Sequence, residues 1–381
     1  MIITKTKIVS NSNVAQYAWR RLAQFQNIDF TTKLICDLHQ LDSKQKSNAR
    51  KQAEHIKYCL TQAKEYYDSS EVVSLATKPV LLYYCTMSLA LAEVLLKQTG
   101  NSRLSALRAN HNCHGLALNL ASEPNTTESL EVAASKIVAK SQTGSQGQPK
   151  GTFEVWRRSA REYPLGGYLT EVHGKTTSER FETLFSPSNA PPPYLASKGI
   201  NLHDCMTNLP YMADTLRRWG SRLEMVRATV SRNHIVASDE VSTTIIIHPT
   251  SADLLDAFGS LCKLHSEYTN ILNITEPPSG CIIEWNQNTD LAFSLPHSTC
   301  INSKDVYFTC SPDNLGEFGY IYLALHMLGN FARYYPDFWI KHIENNSPLA
   351  NASDDLCNNV LTRLPLLTLS ELSRQYQVLE K

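Results

Sequence analysis

Lys78 to Leu96 reads KPVLLYYCTMSLALAEVLL. Apolar residues fall all round a helical wheel drawn for it, Pro79 stands in the first turn where a missing N–H costs least, and Gly100 follows as a stop. A helix with no polar face to give to water predicts the middle of a bundle. Thr86, Ser88 and Glu93 interrupt the stretch, whereas a membrane span needs about 20 continuous apolar residues.

Upstream, Ala53, Ile56, Leu60, Ala63 and Tyr67 recur at spacings of three and four, which predicts an amphipathic helix over 51–67. Downstream, a third helical segment is expected from Leu104 through His111 and His114 towards Leu120, ended by Pro124, with a shorter helix over 128–140. The polar stretch SQTGSQGQPK (141–150) and the proline-rich 186–199 read as connections. Helical character is expected over 153–161 and 201–220. Short β-branched and aromatic runs at 223–230, 243–248, 281–285 and 306–310 then signal strands, with one helix at 252–271 among them. Helices return at 321–333, 336–344 and 353–361. The expected fold class is therefore α+β, mainly α-helical: a helical domain over 1–220, a small sheet unit over 221–312 and a helical unit over 313–381.

The chain of 381 residues balances 36 basic against 36 acidic side chains, with 42% hydrophobic residues. This excludes a disordered chain and a uniformly basic nucleic-acid coat. The segment Met1 to Ser10 lacks the apolar core of a secretory leader, which points to the cytoplasm and to no membrane partner. Ten cysteines contain no C-x-x-C pair, so free thiols are expected rather than a zinc ribbon or a redox pair. Charge is nevertheless segregated. Residues 1–60 carry ten basic and four acidic side chains, and Arg217, Arg218, Arg222, Arg227 and Arg232 form a second basic run opposed only by Glu224. With Trp219 nearby, that run can track a nucleic-acid backbone. The bland reading is a solvated face, or a partner for the acidic region 311–360.

KQAEHIKYCLTQAKEYY (51–67), KPVLLYYCTMSLALAEVLL (78–96), HGLAL (114–118), INLHDCMTNLPYMAD (200–214) and FARYYPDFW (331–339) together resemble the YaaC-like family of bacterial proteins. The resemblance is collinear over most of the chain and implies no particular activity. Residues 80–120 also resemble the HEPN class of helical nucleic-acid enzymes and binding modules. In that class an arginine precedes a histidine by a few residues at a helix start, and two such motifs face each other across a dimer.

Arg108-Ala-Asn-His-Asn-Cys-His114 has that spacing. Metal-independent RNA cleavage needs a group titrating near neutrality and a fixed cation on the phosphate, which assigns Arg108 as clamp, His114 as acid or base and Asn110 as orienting group. The competing reading is a polar helix start, with Asn110 and Asn112 capping backbone groups. His111, Cys113 and His114 lack the further ligands a zinc ion needs, so neither a metal nor another cofactor is expected. No G-x-G-x-x-G or P-loop sequence occurs. The aromatics of Arg333 to Trp339 fill a joint between helices or offer a stacking platform for a base. The functional expectation is an interaction or effector subunit of a bacterial multiprotein system, directed at nucleic acid as in phage defence and working with a protein partner or a second copy. An endoribonuclease using Arg108 and His114 is one alternative, and a non-catalytic scaffold the other.

Overall fold

A computed structural model describes residues 5–97, 112–145, 147–159, 165–187, 194–265 and 305–379 apart from 312 and 314. It also describes Ile3, Leu104 and the short strands β9 (Asn273–Thr275), β10 (Ile282–Trp285), β11 (Ala292–Phe293) and β12 (His297–Thr299), with the two-residue β6 (Ile200–Asn201) earlier in the chain; at 165, 185–187 and 262–299 the description is of backbone alone. The helices are α1 (Val14–Leu22), α2 (Ile28–His39), α3 (Lys46–Val72), α4 (Lys78–Lys97), α5 (Leu130–Ser135), α6 (Thr152–Arg158), α7 (Leu202–Thr207), α8 (Ala213–Arg218), α9 (Ala252–His265), α10 (Glu317–Tyr334), α11 (Pro336–Glu344) and α12 (Pro348–Ser373). The protein is a mainly helical α+β fold.

As its composition demands, α4 is the central helix, wrapped by α3, α6, α10 and α12. It is long and apolar enough to cross a membrane by length and composition, yet 72% of its most apolar window is buried inside the protein. The stripe on α3 faces this core, with Ala53, Ile56, Leu60, Ala63 and Tyr67 all buried. On α10 the approach to α4 is close: a methyl group on Gly329 would stand 3.3 Å from the Pro79 carbonyl and 3.4 Å from Cβ of Tyr83. Two charge pairs, one buried and one partly buried, tie the helices together. Arg363 of α12 grips both carboxylate oxygens of Glu317 on α10 at 2.6 Å, and Lys97 meets Glu371.

The sheet has its own core, built by Leu169, Val226, Val230, Ile245 and Phe308 with Phe258 of α9 covering them. Its central strand is β7 (Met225–Ile235), paired antiparallel along one edge to β8 (Glu240–Ile247). Along the other edge, β13 (Val306–Thr309) pairs with 225–228 and β4 (Leu165–His173) runs parallel to 231–235. The hairpin of β4 with β5 (Thr176–Pro187) was not expected from the sequence, so the sheet draws on a segment before residue 221.

Two expected helices are corrected. Leu116–Leu120 is a strand (β2), paired with β3 (Ile137–Ser141), and only Leu130–Ser135 of the second segment is helical. The alternation Leu116, Leu118, Leu120 has the period of two that a strand requires, and Gly115, at φ +83°, turns the chain immediately before it. The connection 141–150 carries a bridge between Thr143 and Pro149. Strand β1 (Lys5–Val9) pairs in parallel with β14 (Gln375–Leu379), also unforeseen.

Candidate functional site

Of the three residues assigned catalytic roles, Arg108 and Asn110 lie outside the described residues, as does His111. His114 is described, and it leads into a strand rather than opening a helix. Its place is set by the N-terminus of α6, whose free backbone amides need acceptors. Thr152 N–H donates to the Cys113 carbonyl at 2.9 Å and Phe153 N–H to the His114 carbonyl at 3.2 Å. The contact requires two glycines. A Cβ on Gly151 would lie 2.4 Å from Gly115 N, and both residues have positive φ.

So held, the half-buried His114 ring meets Tyr83 and Tyr84 of α4, with centroids 5.5 and 6.2 Å away. Tyr84 stacks on Tyr66 of α3 at 5.5 Å. Across from them α10 presents Tyr322, His326, Asn330 and Arg333, whose spacings of four, four and three put them on one helical stripe. Arg333 Nη1 donates to the Tyr84 hydroxyl at 3.1 Å, and its guanidinium lies 5.1 Å from the ring centroid of the exposed Tyr334. Burial, and then the positive charge of Arg333, hold the His114 imidazole below its ordinary pKa. Burial pushes His326 down to about 3. Both rings are therefore neutral at pH 7.

Arg333 is exposed and has no carboxylate partner among the described residues. The basic run differs. Arg217 pairs with Asp214 at 2.7 Å, Arg218 with Asp355 at 3.4 Å, Arg222 with Asp253 at 2.9 Å and Arg227 with Asp305 at 2.5 Å. Arg232, on β7 opposite Thr243, has no ion pair among the described residues. Trp219 is half-buried, packs on the helical core and keeps its indole N–H sealed from solvent. Among these described pairs, Arg218 with Asp355 is the one that reaches into the acidic region 311–360. The amino-terminal basic segment contributes Lys33, Lys46 and Arg50 to a cleft of about 510 Å³ between α2 and α3, where Arg50 pairs with Asp29 at 2.6 Å.

Among the described residues, no group of three or more His, Cys, Asp or Glu side chains could hold a metal ion. The described cysteines are all free, with Cys59, Cys85, Cys205 and Cys357 buried. Burial drives the Cys59 and Cys357 thiols up to about 12, far from a reactive thiolate. In the joint of α10 and α11, Trp339 is buried and Phe331 contacts Tyr335, Trp339 and His342.

Fold and site together define a mainly helical α+β protein with a histidine–arginine corner at the crossing of α4 and α10. The sequence profile described as YaaC-like Protein matches residues 23–137 and 167–372, and the chain belongs to that family. No curated protein and no solved structure matches it. Tyr66, Tyr83, Tyr84, His114, His326 and Arg333 all fall within the matched residues.

Proposed function

We propose that this YaaC-like chain is a cytoplasmic, nucleic-acid-directed effector subunit, and that the corner of His114 and Arg333 is where it meets a phosphodiester. The observation that carries the reading is an exposed guanidinium with no described carboxylate partner beside a half-buried neutral imidazole. Arginine offers a planar fork matched to phosphate oxygens, and Tyr84 already holds one of its nitrogens in place. A single-stranded RNA suits the aromatic rim of Tyr66, Tyr84 and Tyr334 better than a duplex, because unstacked bases can pack on side-chain rings. The chain works with a protein partner or a second copy of itself, which supplies the rest of the nucleic-acid surface.

The test is a short oligouridine RNA titrated by fluorescence anisotropy across a salt series. Arg333→Ala should weaken binding about tenfold and lower the salt slope by about one. Unchanged affinity and slope would exclude the corner.

A second reading, metal-independent RNA cleavage through Arg108 and His114, is favoured by one observation: the lowered pKa leaves His114 neutral and able to take a proton at pH 7. Cleavage of the same RNA in chelator, abolished by both Arg108→Ala and His114→Ala, would establish it. A stable complex without cleavage would establish the binding role alone.

A further inference from the structure

Four sealed polar atoms cluster behind His114: its own Nδ1, the Tyr83 and Tyr322 hydroxyls, which face each other, and Nε2 of His326; none has a partner outside the cluster. The Tyr83 ring stands among the other three, with centroids 5.5 Å from His114, 5.3 Å from His326 and 5.9 Å from Tyr322. Sealed donors and acceptors left unpaired are costly and rare, so a cluster of them calls for an explanation.

Asn330 decides where the His326 proton sits. Its side-chain nitrogen lies 2.7 Å from the His326 carbonyl oxygen. A carbonyl only accepts, so the atom facing it is the amide NH2. The same nitrogen is 3.1 Å from His326 Nδ1, which must therefore accept too. Because burial keeps this ring neutral, its single proton is on Nε2. His326 thus carries a sealed donor. His114 carries a sealed Nδ1, while its Nε2 is not among the sealed atoms.

We propose that His326 is a positioning residue for His114: on a small side-chain adjustment its Nε2–H donates to the Tyr83 hydroxyl, and the Tyr83 hydroxyl donates to His114 Nδ1. The Tyr322 hydroxyl fills the second lone pair of Tyr83. All four atoms are then satisfied with donors and acceptors in matching number. No proton is gained or lost in the chain, and His114 is left with its proton on Nε2, the nitrogen that faces outward. The inference rests on the phosphodiester reading and sharpens it. Beside Arg333, His114 meets a phosphate oxygen as an N–H donor rather than as a base. The ionisable groups around it are Cys113, Tyr83 and Tyr84 on one side and Tyr322, His326 and Arg333 of α10 on the other.

Two variants separate this role from packing. His326→Leu keeps bulk and removes the donor, whereas His326→Gln keeps a neutral N–H. For the oligouridine RNA, His326→Leu should weaken binding about tenfold and His326→Gln should stay within about threefold of wild type. In the ligand-free protein, 15N NMR of the imidazoles should show the His114 proton on Nε2 in wild type and His326→Gln, and a mixture in His326→Leu. Equal losses in two variants that melt cooperatively, or a His114 proton on Nδ1 in wild type, would overturn the relay. If His326→Leu does not fold, Asn330→Leu reads the same effect by freeing Nδ1 of His326 to take the proton. Normal RNA affinity in Arg333→Ala would instead overturn the phosphodiester reading and leave the NMR result standing.

Discussion

The arginines of 217–232 and the lone Arg333 illustrate how differently the same side chain behaves in two settings. In the run, four of five guanidiniums lie within 3.4 Å of a carboxylate oxygen. In the corner, Arg333 faces a phenol and a neutral imidazole. The run is denser in charge along the chain, and folding largely cancels it with Asp214, Asp253, Asp305 and Asp355. Arg333 sits in an acidic stretch of sequence, and folding carries it to a rim where its charge is available. Linear charge density is therefore a poor guide to where unpaired positive charge ends up in this protein; the partner of each cation after folding decides.

The contrast can be broken at several points. The largest effect should come from an arginine paired in a dry place. Arg363→Leu leaves Glu317 buried without its cation and should cost about 3–5 kcal/mol of stability, measured by urea unfolding. A loss below about 1 kcal/mol would mean that pairing counts for little even inside the core.

Next comes acid. A histidine whose folded pKa lies below its unfolded value contributes no penalty above about pH 6.5, and the folded state becomes progressively less stable as pH falls from there towards the folded value. For His326, at about 3, this amounts to roughly 2 kcal/mol lost between pH 6.5 and pH 5. His114 adds a smaller loss of the same sign. His326→Gln should flatten the decline in melting temperature over that interval, and an unaltered slope would place the acid sensitivity elsewhere.

The smallest effects belong to the run. Each exposed pair stabilises the fold by about 0–1 kcal/mol, so Arg222→Ala and Arg227→Ala should shift unfolding midpoints little and RNA affinity less than about threefold. A tenfold loss of RNA binding in either would reverse the ranking of the two regions.

Much of the helical architecture was legible from periodicity. The stripe of α3, the all-round apolar α4 and the proline start of α11 are local patterns, and the structure follows them. The β4–β5 hairpin was hidden because its second strand is rich in charge, with Glu179, Arg180 and Glu182 in β5. The strand after His114 was hidden because LALNL serves either period, and only Gly115 tips it.

The corner was half legible. His114 stands out through its spacing from Arg108. Arg333 enters only as the edge of an aromatic joint. The signal that could have found it was the polar stripe Tyr322, His326, Asn330 and Arg333 on an otherwise apolar helix. That the stripe faces His114 depends on the packing of α10 against α4, which no local pattern contains.

Hydrogen exchange read by mass spectrometry, with and without saturating oligouridine RNA, tests the central claim most directly. Protection should appear in peptides covering 113–120 and 326–336, with little change over 213–235. Protection over 213–235 alone would contradict the assignment of the corner and return the role to the basic run.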